Sequence, residues 1–104
     1  MDSHSLAEQV SGLASRVNNL SAYQSGDHSW TLMKLQDRLS TDAMTAIKLK
    51  LDASAADYKA ALAGLKSAID FIGEANGQIA DVAKAIDLIA KAADLVEAVF
   101  KKFA

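Results

Sequence analysis

The chain has 104 residues, enough for one modest hydrophobic core and too few for two. Ala supplies 21 of its positions, Pro and Cys are absent and there are five Gly, a balance that favours an all-α chain and excludes a disulfide framework or thiolate metal site. The formal net charge of −2, from 11 basic and 13 acidic residues, lacks the basic excess of a nucleic-acid-binding surface.

The start, MDSHSLAEQV, shows no basic segment followed by an apolar core. No uncharged apolar run approaches the ~20 residues that cross a bilayer. Both observations predict a soluble protein, either cytoplasmic or exported by a route that needs no cleavable signal.

The first helix is expected over residues 5–24. Ser5 and Glu8 stand at capping-box spacing, and Leu6, Val10, Leu13, Val17 and Leu20 then recur at steps of four and three. The run QSGDHS breaks it, with Gly26 as its C-terminal residue and Asp27 or Ser29 as the next cap. Leu32, Leu35 and Leu39 make a second stripe over 29–39, with Trp30 expected to plug one end of the bundle. A longer stripe over 42–72 contains Met44, Ile47, Leu51, Ala55, Tyr58, Leu62, Leu65, Ile69 and Ile72. The polar run Leu39–Ala43 divides the two stripes, because Ser, Thr and Asp compete with helical hydrogen bonding. The alternative is a single helix over 29–72.

Gly73 and Asn76-Gly77 mark a tight turn before the last helix, 78–103, which makes the two flanking helices antiparallel neighbours. Ala60, Gly64 and Ala68 repeat at steps of four, a spacing that lets two helix backbones approach closely. In the last helix one seam carries Ile79, Val82, Ile86, Ile89, Ala93, Val96, Phe100 and Phe103. A second stripe carries Leu88 and Leu95 with Ala85, Ala92 and Val99. The wet edge is narrow, with Asp87–Lys91 and Glu97–Lys101 as acid-before-base pairs four apart. One neighbour cannot cover both stripes. The second is therefore either packed under the first helix or the Trp30 segment, or it is an interaction face.

No motif for catalysis, cofactor or metal binding stands out. His4 and His28 lack ligand spacing, and GLKS (64–67) sits inside a helical stripe without the flanking glycines of a phosphate loop. GDHS brings Ser, His and Asp together only in sequence, and no two carboxylates pair on an otherwise apolar face. The Lys48/Lys50 and Lys101/Lys102 doublets read as solvated helix ends.

The expectation is an antiparallel bundle of three or four helices built round a C-terminal coiled-coil-like αα-hairpin. It is a non-enzymatic interaction or structural module without cofactor, whose partner is itself or another helical protein. Nucleic acid is not expected, and a membrane surface is the less favoured partner. Eight of the ten Ser lie in the first 40 residues and Ala concentrates after residue 42. That organisation broadly resembles type III secretion filament and translocator proteins, which implies a translocated or filament-type protein as the alternative. Compared with the helical hairpins of the WXG family, Trp30 is followed by Thr31 and Leu32, not by their Trp-x-Gly turn. No family is assigned.

Overall fold

A computed structural model describes residues 3–75 and 81–103, and the side chains of 5–73 and 81–103. The expected turn at Asn76-Gly77, together with Ile79, lies outside the described residues. Four α-helices and no strand occur among those described: α1 Ser3–Ala22, α2 Gly26–Lys48, α3 Ala56–Ala75 and α4 Val82–Phe103.

The seam of α1 is the bundle's interior. Leu6, Val10, Leu13, Val17 and Leu20 are all fully buried, and Ala7 and Ala14 widen the face. The helix begins before Ser5, so Ser5 falls within its first turn and not at the cap. Near the start of α1 the Leu6 amide donates to Tyr58 Oη of α3 at 3.1 Å, tying the two helices together. The end of α1 tightens through Tyr23 N–H to Leu20 O and Gln24 N–H to Ser21 O. Ser25 then takes the extended N-cap position of α2. Asp27 and Ser29 lie inside α2, and Gly26 is its first residue, not the last of α1. Its φ of +66° accounts for glycine there.

The expected break at Leu39–Ala43 does not exist. Leu32, Leu35, Leu39, Ala43 and Ala46 form one continuous buried face on α2. Ser40 and Thr41 are simply its solvated turn. The chain breaks instead at 49–55, inside the stretch expected as one helix over 42–72. There Leu49 is extended and Asp52 Oδ1 accepts from the Ser54 amide (2.9 Å) and hydroxyl (2.6 Å). This Asp-x-Ser turn offers the backbone an alternative to helix, while Leu51 stays buried beneath it. The apolar spacing runs on through the turn, so periodicity alone misses it.

On α3, Tyr58, Ala61, Leu65, Ala68 and Ile72 point inward. Asp81 caps α4, its Oδ1 accepting from the Lys84 amide at 2.9 Å, so the described helix starts later than residue 78. The helix ends with Lys101 and Lys102 at the negative pole of its dipole.

The short links make α1–α2 and α3–α4 antiparallel hairpins. Asp57 at the start of α3 faces Lys102 at the end of α4 (3.6 Å), and Ser29 Oγ of α2 donates to Ser21 O of α1. The hairpins stack side by side, α1 on α3 and α2 on α4. The molecule measures 38 × 21 × 17 Å, the length that helices of 20 to 23 residues reach when aligned.

Candidate functional site

The second stripe of α4 divides between core and surface. Ala85, Ala92 and Val99 are buried, so they cannot form an outward interaction face. The main neighbours of α4 are α3 and α2; α2 contains the Trp30–Leu39 segment, one of the two expected covers, while α1, the other, packs chiefly on α2 and α3. Leu88 and Leu95 are half-buried and join Ala60, Gly64 and Ala92 around a shallow groove of about 310 Å³ between α3 and α4. A Cβ on Gly64 would lie 2.7 Å from Leu95 Cδ1 and 3.7 Å from Ala92 Cα. Gly64 therefore sits where the two helices approach closely. Ala68 is buried and Ala60 exposed.

A charged cluster joins α2 to α4. Arg38 forks onto Glu97, with Nε to Oε2 and Nη2 to Oε1 both at 2.7 Å, and Nη2 also donates to Asp94 Oδ1 at 2.6 Å. Glu97 therefore serves α2, not the expected pair with Lys101 on the wet edge. Next to it Asp42 is 6% exposed, and its Oδ2 accepts no hydrogen bond from the described residues. Burial pushes the Asp42 carboxyl up to about 7, and the hydrogen bond and charge of Glu97 add to this, while Arg38 opposes it. Hydrogen bonding from Arg38 holds Glu97 below the usual carboxylate range. The carboxylates of the cluster also raise Arg38, Glu97 most. Two adjacent carboxylates cannot satisfy each other, but a protonated Asp42 can donate to Glu97.

Spacing along one helix does not reveal this paired-carboxylate arrangement, since Asp42 and Glu97 belong to different helices, α2 and α4. Neither Asp42 nor Glu97 lines the groove between α3 and α4. The pair can share a proton between α2 and α4. Among the described residues, no group of three or more His, Cys, Asp or Glu is placed to hold a metal ion. His28 is exposed at the start of α2, and the His4 side chain lies outside the described set.

The largest departure from expectation is on the outer face of α2. Trp30 is no plug: it is 61% exposed, with Lys34 Nζ 4.8 Å from its ring centroid. Met44 and Ile47, expected in a core stripe, are 62% and 57% exposed, and Met33 is 52% exposed. These four fall at 30, 33, 44 and 47, a single line of alternating three- and four-residue steps completed by Asp37 and Ser40. Those two polar residues at the centre hide the line from a search for apolar periodicity. Met44 and Ile47 also wall a groove of about 420 Å³ against the small side chains Ser11, Ala14 and Ser15 of α1.

No helix among the described residues is long and apolar enough to cross a membrane. Compared with known proteins, the chain matches no family model, no curated protein and no solved structure.

Proposed function

We propose that this protein is a non-enzymatic helical interaction module that works by helix–helix packing, and that its working surface is the outer face of α2. The observation that carries this reading is the solvent-exposed line of Trp30, Met33, Met44 and Ile47. The core is already complete without it, built from the opposite face of α2. Large apolar side chains grouped along one helix are unusual on a free surface, where single ones are the norm. A lone Trp flanked by Met is also the composition that interfaces favour.

A photo-crosslinking residue at position 33, compared with one at exposed Lys59 on α3, tests the reading in cells that produce the protein. Discrete adducts are expected from position 33 and not from position 59. Absence of any adduct at 33, or equal smears from both sites, would remove the assignment.

A further inference from the structure

We infer that the outer face of α2 docks onto the same face of a second copy, the two helices running antiparallel about a two-fold axis near residues 38–39. This rests on the reading of α2 as the working surface and names its partner.

The pattern along the line is self-complementary. About its midpoint Trp30 falls opposite Ile47 of the other copy, Met33 opposite Met44, and Asp37 opposite Ser40. Every large apolar side chain meets an apolar one, and the central acid meets a hydroxyl that can donate to it. A parallel pairing would instead set Asp37 against its own copy in the contact line, which like charges disfavour.

The flanking charges select the same direction. Written as a heptad with Trp30 at position a, Asp27, Lys34, Thr41 and Lys48 occupy e, and all four are exposed. Antiparallel helices bring e positions together, so Asp27 of each copy stands beside Lys48 of the other, once at each end. Lys34 then meets Thr41, and no like charges oppose. On the other flank the small α1 side chains Ser11, Ala14 and Ser15 leave open the groove beside Ile47, where the second copy's Trp30 arrives. Four half-exposed side chains per copy cover only part of the ~800 Å² per partner of a standard interface. A dissociation constant of roughly 10–100 µM is therefore expected.

The chain has no Cys, so engineered cysteines report the geometry cleanly. Met33→Cys and Met44→Cys chains, mixed and mildly oxidised, should cross-link to each other, while neither should cross-link to itself. In sedimentation equilibrium Asp27→Lys should weaken the dimer about 3- to 10-fold. Asp27→Lys/Lys48→Asp should return it to within about two-fold of wild type, since only the pairing direction makes these residues partners. A self-cross-link through position 33 would overturn the antiparallel arrangement. Wild-type protein that stays monomeric at high micromolar concentration, without the mixed cross-link, would overturn self-docking altogether. If position 33 then still yields adducts of another mass in cells, the α2 face serves a different protein; if it yields none, the interaction reading falls as well.

Discussion

Replacing Asp42 with Asn should make the protein more stable above neutral pH and flatten its pH dependence. The structure sets the size of the effect. Folding moves the Asp42 carboxyl from 3.8 to about 7, chiefly by burial beside Glu97. At about 1.4 kcal/mol per unit, a shift of that size has a ceiling of ~4 kcal/mol. Proton sharing with Glu97 and the opposing charge of Arg38 bring the expected value to ~1–3 kcal/mol.

The sign follows from proton counts. Between about pH 4 and 7 the folded state keeps the Asp42 proton and the unfolded state has lost it, so stability falls as pH rises through that window. Glu97 is shifted the other way, so its contribution is present above its unfolded value and is lost only as pH falls below the usual carboxylate range. The two windows barely overlap. Asn at 42 has nothing to ionise, and its amide can donate to Glu97 as the protonated acid does. Urea denaturation followed by circular dichroism at about pH 4.5 and about pH 8 makes the comparison, with protein kept below the concentration of self-association. Wild type should lose ~1–3 kcal/mol between the two, and Asp42→Asn much less. An equal decline in both proteins, or a variant less stable at the higher pH, would show that Asp42 ionises in the fold without cost.

Two further substitutions probe the packing. Gly64→Ala should stay within about 1 kcal/mol of wild type, because the gain in helix propensity offsets the displacement of the half-exposed Leu95 tip. Gly64→Ile should lose ~1–3 kcal/mol in the same urea assay, since its extra methyls meet the Ala92 backbone. Tyr58→Phe removes the acceptor of the buried Leu6 amide and should cost ~1–2 kcal/mol. Hydrogen exchange should locate that loss in the first turn of α1, and unchanged protection there would argue that the Tyr58 hydroxyl does not hold the start of α1.

Much of the architecture is readable from spacing. The α1 seam, Leu6 to Leu20, is buried at every position where the three-and-four rule places an apolar residue. Helix periodicity follows from local geometry, so one strand of sequence suffices to reveal it. The failures have local causes too. The Asp52–Ser54 turn interrupts a stripe whose apolar spacing continues through Ile47, Leu51, Ala55 and Tyr58, and only side-chain competition for backbone groups marks the break. Leu39–Ala43 contains the same kinds of polar residue, yet it stays helical because Asp42 and Ala43 are covered by neighbouring helices.

The sequence by itself determined that this is an all-α chain, where most apolar faces lie and that α4 carries two of them. Those properties depend on residue type and on a period of 3.6. Only tertiary structure decided which faces are used. Ala85, Ala92 and Val99 went inside because α3 and α2 close over them, Gly64 allowing α3 its close approach. Trp30, Met33, Met44 and Ile47 stayed outside because α1 and α4 pack on other sides of α2. The Asp42 carboxyl is pushed up because the packed helices bury it and α4 brings Glu97 against it. Whether a stripe is core or surface depends on what stands opposite it, and no single segment of chain contains that information.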